Sequence, residues 1–246
     1  GVAPGNGGLD AQAMLAQPRK SYLLYGVEPP HDFADGAATL NSVRGGEQVV
    51  AFSAFASDAL REVADVILPI ALLPEIDATL VNVDGLAQGV LAGSKAPGQA
   101  RPGWKVLRAL GGSLQLAGFE FDDIAGLRNG ITDRAVVARD GMASRASAPA
   151  GLTRVATWPI YRSDAVLRRA TALNAHPLNR APAVRINANE AARLGLADGE
   201  QVRVGDASLL LRIDVAVPDG ATWIEAAQDL AATLPPYGAT ITLSKA

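Results

Sequence analysis

Three short apolar runs separated by stretches of helical spacing set the tightest limit on how this chain can fold. "SYLLYG" (Ser21–Gly26) closes on a glycine, "EQVVAFS" spans Glu47–Ser53, and "ADVILP" (Ala64–Pro69) is stopped by a proline. Such runs suit buried strands of a parallel sheet. Between the first two, Asp35–Val43 carries alanine and leucine at helical spacing and stops at Gly45-Gly46. Between the second and third, Ser57 offers a hydroxyl as N-cap. Asp58 follows in the first turn, where free backbone N–H groups favour a carboxylate. Strand–helix repeats of this length predict a parallel sheet with helices on its faces. Such sheets bind ligands beyond the carboxyl ends of their strands. The loops at Gly26–Asp32, Ser53–Ser57 and Pro69–Asp77 are therefore where chemistry is to be sought.

Further along, a helix is expected from Pro102, with Trp104, Val106, Leu107 and Leu110 on one side, and Gly111-Gly112 stopping or weakening it. A second short helix is expected over Phe119–Arg128. Residues 134–150 are rich in alanine and arginine with no clear period, and read as a linker. The last hundred residues change character. Asn187 is expected to cap a short helix, with Glu190 completing a capping box and Gly195 ending it. Asp198-Gly199 turns into a strand at Gln201–Val204, Gly205-Asp206 starts a hairpin into Ser208–Val215, and Pro218–Gly220 turns before Thr222–Glu225. Short strands joined by tight turns predict a small closed β-barrel. The expected organisation is a Rossmann-like α/β domain over 1–133, the linker at 134–150, and a β-barrel domain over 151–246.

Composition removes several classes of function. There is no cysteine among the 246 residues, so this chain holds no disulfide, thiolate nucleophile, iron–sulfur cluster or thiolate zinc site. His31 and His176 are the only histidines and stand far apart, against a histidine-rich metal site. A net charge of −3 gives no nucleic-acid footprint. The nearest approach to a membrane span, Val66–Ile76, is broken by Pro69 and Pro74. "GNGG" at Gly5–Gly8 is no phosphate loop, since no strand precedes it, and there is no Gly-x-Ser-x-Gly elbow. Gly1 is not an initiator methionine, so the chain is expected to be a processed product or a piece of something longer.

"ADVILP", then "PEIDATLVNVDGLAQ", then "GQARPGWKVLRAL" resembles the molybdopterin oxidoreductase superfamily. There an apolar strand ending in Leu-Pro is followed by an acidic residue, Gly-Thr, Asn, and Glu-Gly-Arg near Gln. Glu75, Thr79, Asn82, Gly85 and Gln88 keep that pattern; Ala78, Asp84 and Leu86 depart from it. "AVRINANEAARLGLADGEQVRV" is similar to the family's C-terminal double-psi β-barrel. Within the superfamily the chain looks most like the C-terminal portion of the large G subunit of bacterial NADH–quinone oxidoreductase, respiratory complex I. The turn Gly26-Val27-Glu28-Pro29 stands where the molybdenum enzymes usually have Gly-x-Asn-Pro, and "GLTRVATWPIYRSDAVLRRATAL" lacks their His/Thr-rich strand that contacts the pterin.

The resemblance implies a non-catalytic scaffold of the peripheral arm, partnered by the other peripheral-arm subunits, on the cytoplasmic face of the bacterial inner membrane. It also implies [4Fe-4S] and [2Fe-2S] clusters in a region upstream of Gly1, and no cofactor in this portion. Glu28, Glu75, Thr79, Asn82, Gly85 and Gln88 would then line a vestigial cleft. The competing implication is a molybdenum or tungsten bis-pterin oxidoreductase, such as a formate dehydrogenase or nitrate reductase, with a working pterin site. A third reading is an independent small-molecule-binding α/β protein.

Residue by residue, the bland reading is generally preferred. Glu75, Asp77 and Asp84 could do acid–base work, but turn chemistry suffices. Thr79 and Asn82 are expected to fix a β-turn. Glu28 would repel a pterin pyrophosphate, and otherwise reads as a solvated turn residue. His31 and His176 are expected at the surface. Arg162, Arg168 and Arg169 are expected on a solvated, salt-bridged helix face rather than in an anion site. Trp104 is expected in packing.

Overall fold

The computed structural model describes residues 8–129 and 151–246, so the expected linker at 134–150 lies outside the described residues, as does most of the Gly5–Gly8 run. The described residues form two compact units. One holds those up to Val27 together with those from Gly46 to residue 129; the other holds Glu28–Gly45 and residues 151–246.

The first unit begins with α1 (Ala11–Ala16), capped by the Asp10 carboxylate, which accepts from the Ala13 N–H at 2.8 Å. Its sheet is β1 (Ser21–Tyr25), β2 (Gln48–Ser53) and β3 (Val66–Pro69), parallel and in that spatial order, with Leu24 paired to Ala51 and Ala51 to Ile67. Helix α4 (Asp58–Val63) connects β2 to β3, and the Ser57 hydroxyl accepts from the Leu60 N–H as expected. Val49, Ala51, Phe52, Leu60 and Val63 form the buried centre. On β1, however, Tyr22 and Leu24 are buried while Leu23 is 64% and Tyr25 49% exposed. A three-stranded sheet with β1 at its edge covers that strand on one face, so the strand alternates.

β4 (Ala78–Val81) and β5 (Ala87–Val90) form a separate antiparallel hairpin. Helix α5 (Gly103–Ser113) takes in Gly111-Gly112 and ends one residue beyond them, close to where they were expected to stop or weaken it. A Cβ on Gly111 would lie 2.3 Å from the Phe119 ring, so that glycine makes room for a side chain rather than breaking the helix. Phe119 is recruited instead to a ring cluster with Phe121 and Trp104. The next helix, α6 (Ile124–Asn129), consequently starts later than expected, where the Asp123 carboxylate accepts from Gly126 N–H.

The second unit contains α2 (Pro29–Asp32) and α3 (Gly36–Arg44), the connection between β1 and β2. The rest is β6 (Leu152–Val155), α7 (Ala165–Arg168), α8 (Thr171–Asn174), β7 (Ala183–Ile186), α9 (Ala188–Leu194), β8 (Gln201–Val204), β9 (Ala207–Ile213), β10 (Ala221–Trp223), β11 (Thr240–Ile241) and β12 (Ser244–Lys245). These strands make one curled sheet, ordered β11-β6-β10-β7-β9-β8-β12, in which β6–β10 and β7–β9 are parallel and the other neighbours antiparallel. Val184, Ile186, Val202, Val204, Leu211 and Ile224 fill its interior. Asn187 caps α9 by accepting from Glu190 N–H at 2.9 Å, and Gly195 closes the helix with φ 64°. The reciprocal half of the expected box is missing. The Glu190 carboxylate accepts from Gly220 N–H and pairs with Arg193, bonds that hold its pKa below the ordinary range.

Candidate functional site

Gly26, at φ 65°, turns the chain out of β1, and its N–H donates to the Phe52 carbonyl at 2.8 Å. Pro29 and Pro30 then start α2, fixing φ where no N–H is needed. Glu28 immediately precedes that helix. Its carboxylate is not free. Oε2 accepts from Arg168 Nη2 at 2.8 Å and Nε at 3.1 Å, and from Arg169 Nη1 at 3.2 Å; Oε1 accepts from Arg169 Nη2. Arg168 also reaches Asp32 Oδ1 at 3.1 Å, and Asp32 Oδ2 accepts from Glu28 N–H at 2.7 Å. Two carboxylates thus face two guanidiniums, and Arg168 Nη1 is left buried with no hydrogen-bond partner among the described residues.

The Glu28 and Arg168 side chains are each 4% exposed. Burial by itself would raise the Glu28 carboxyl, but hydrogen bonds from Arg169 and then Arg168, with their charges, outweigh it and hold the pKa below the ordinary range. Two expectations are corrected here. Glu28 is a buried, ion-paired residue rather than a solvated turn residue, and Arg168 is buried rather than on a solvated face. The reason is that α7 ends at Arg168, and both arginines meet the acidic start of α2. Arg162 is also largely covered, donating to the Ala227 carbonyl, Asn174 and Asp229.

The remaining sequence-derived residues lie in the first unit and bond locally. Glu75 accepts from Leu72 N–H at 2.9 Å, and Asp77 from Ala92 N–H at 2.8 Å. Asn82 Oδ1 accepts from the Asp84 and Leu86 N–H groups, and Gly85 takes φ 81°, so these residues build the β4–β5 turn. Thr79 and Gln88 are exposed on that hairpin, opposite Gly89 and Leu80. The structure therefore gathers Thr79, Asn82, Gly85 and Gln88 on one hairpin, while Glu28 belongs to the other unit. Trp104 is half-buried and packs on Phe121. His176 is exposed, as expected, beside Tyr161. His31 is not at the surface as expected: it is half-buried, and burial followed by the Arg168 charge lowers its pKa.

Sequence reasoning passed over Arg154, the buried cation of β6, which is 4% exposed. A signal existed, because Arg154 shares strand parity with buried Leu152 and so points to the same face. Among the described residues there is no group of three or more His, Asp or Glu side chains placed to hold a metal ion, and no helix is long and apolar enough to cross a membrane.

The family model described as molybdopterin oxidoreductase matches residues 1–113. Over 91 residues the chain is 36% identical to the NADH-ubiquinone oxidoreductase 75 kDa subunit of Reclinomonas americana, covering 36% of this chain and 13% of that protein. It is 38% identical over 72 residues to the mitochondrial 78 kDa subunit of Neurospora crassa, covering 29% and 10%, and 43% identical over 65 residues to that of Candida albicans, covering 26% and 9%. The matched segments thus span about a tenth of these relatives' lengths. Acetylene hydratase from Pelobacter acetylenicus superimposes with a TM-score of 0.61 at 16% identity, over 88% of this chain and 38% of its own, which establishes likeness of fold.

Proposed function

We propose that the chain is a non-catalytic structural portion of the large subunit of a bacterial NADH–quinone oxidoreductase, a scaffold in its peripheral arm. The similarity to 75 and 78 kDa NADH-ubiquinone oxidoreductase subunits supports this reading. The structural observation that carries it is the Glu28–Arg168–Arg169 clamp. A pterin dinucleotide brings a pyrophosphate, which needs free cations and N–H donors. At the Gly-x-Glu-Pro turn both arginines are already neutralised by Glu28 and Asp32. Arg168 keeps one unpartnered N–H, at Nη1, but the neutralised charge of both arginines supports a turn that does not hold that group. With no cysteine in the chain, electron carriers would have to be iron–sulfur clusters held by other parts of the parent protein.

In this role the chain works by contact with the other peripheral-arm subunits, at the cytoplasmic face of the membrane. The β4–β5 hairpin offers apolar surface for such contact, with Val81 64%, Val83 100% and Leu91 86% exposed. The test is co-expression with the cluster-bearing subunits of the arm. Co-purification, weakened by Val83→Asp with Leu91→Asp, is the expected result. Failure of the unaltered chain to associate at micromolar concentration would contradict the proposal.

A further inference from the structure

Within the second unit a small half-enclosed pocket is lined by His31, Arg154, Ala227 and Pro30, with Trp158 and Tyr237 at its rim. Its free volume is about 30 Å³, room for one or two water-sized groups. Two of its side chains carry a buried nitrogen with no hydrogen-bond partner among the described residues, Arg154 Nε and His31 Nδ1. Arg154 Nη1 donates to the Pro235 carbonyl, but no described carboxylate pairs with this guanidinium. Burial pushes its pKa down from the ordinary arginine value, the direction expected for a cation removed from water.

An arginine 4% exposed with no counter-charge among the described residues is costly to keep. The contrast with Arg168 is direct, because Arg168 is equally buried but shares Glu28 and Asp32. In Arg154, Nη1 is engaged, Nε is unpartnered and Nη2 has no described bond; Nε with Nη2 form the side-on edge, which takes the two oxygens of a carboxylate as a planar fork. His31 in its Nδ1–H tautomer supplies a further donor. One guanidinium supplies a single positive charge, which matches a carboxylate better than the roughly two negative charges of phosphate. The exposed faces of Trp158 and Tyr237 leave a way in.

We infer that this pocket is a carboxylate-binding site, with the Arg154 guanidinium edge and His31 Nδ1 as its donors. The carboxylate arrives either as a small free ion or on an acidic side chain of another polypeptide. The first two probes are sodium formate and sodium phosphate, each titrated into the whole chain at constant ionic strength with chloride as the balancing anion. Formate should raise the thermal midpoint saturably and change tryptophan emission, and the emission change should vanish in Trp158→Phe while the midpoint shift remains. His31→Ala removes a nitrogen that bonds nothing in the fold, and should weaken formate binding about tenfold. Arg154→Lys keeps the charge but loses the fork, and should abolish saturable binding; circular dichroism reports whether it folds, and His31→Ala decides the matter if it does not.

A third probe, acetyl-Gly-Glu-Gly-amide, separates the sources. Competition with formate assigns the site to a side chain on a polypeptide; formate binding alone assigns it to a free ion. No saturable response to formate, an equal response to chloride, tighter binding of phosphate than formate, or unchanged affinity in His31→Ala would each overturn the inference.

Discussion

In the parallel-sheet unit, acidic and amide side chains lie at loops and bond to backbone N–H groups close by in the chain or across the hairpin, as Glu75, Asp77 and Asn82 do. In the barrel unit, charged groups are taken into the interior. Glu28 and Arg168 are balanced there by ion pairs, while Arg154 has no described carboxylate partner and its Nε bonds nothing. The difference shows where substitution acts. A surface turn carboxylate trades one solvated state for another, and its bonds contribute little net. A buried charge has no such fallback, so removing its partner exposes the full desolvation cost. A polar residue at the expected ligand edge is therefore not evidence of a ligand until its partners are known.

The sharpest way to break this comparison is Glu28→Gln. It leaves Arg168 and Arg169 facing Asp32 alone, and should destabilise the barrel unit by about 3 kcal/mol, read from urea unfolding. Glu75→Gln in the other unit should cost under about 1 kcal/mol. Similar losses at both positions would erase the distinction.

Acid should act on the same unit. The Glu28 carboxyl sits below its ordinary 4.5, so its stabilisation is complete above that pH and is lost as pH falls through the folded value. His31 sits below its ordinary 6.5, so on acidification the unfolded chain takes up a proton that the folded residue declines, and stability starts to fall from there. Both effects have the same sign. Glu28→Gln should flatten the lower part of the acid profile and His31→Ala the upper part, measured as urea midpoint against pH.

Gly36→Ala comes next. A Cβ there would stand 2.7 Å from the Pro30 carbonyl oxygen, a backbone atom, and should cost about 2 kcal/mol. Gly111→Ala meets the root of the Phe119 ring instead, in the first unit; the ring must be displaced from Phe121, so about 2 kcal/mol is expected there too. The smallest effects are the helix caps. Asn187→Ala and Ser57→Ala should each cost about 1 kcal/mol or less, alike in both units, since a cap does not depend on how its unit treats buried charge.

Much of the fold was legible in the sequence. Short apolar runs located β1, β2 and β3, the first ended by glycine and the third by proline, and Asn187 and Ser57 located the starts of α9 and α4, because these are local rules obeyed locally. What failed was decided at a distance. The need for glycine at 111 comes from a ring eight residues on, and the capping-box role of Glu190 was lost to Gly220, thirty residues away. The site was less legible for the same reason. Glu28 meets Arg168 and Arg169 across some 140 residues, a pairing that no local spacing reveals. For Arg154, strand parity pointed inward, yet its lack of a carboxylate partner emerges only from the folded arrangement.

The central proposal is a scaffold whose charges at the Gly-x-Glu-Pro turn are balanced by Glu28, Asp32, Arg168 and Arg169 rather than by a pterin dinucleotide. Metal analysis joined to pterin fluorescence on the natural protein tests it most directly. The account predicts iron without stoichiometric molybdenum or tungsten, and no pterin emission after denaturation. One molybdenum or tungsten per chain, with released pterin, would contradict it.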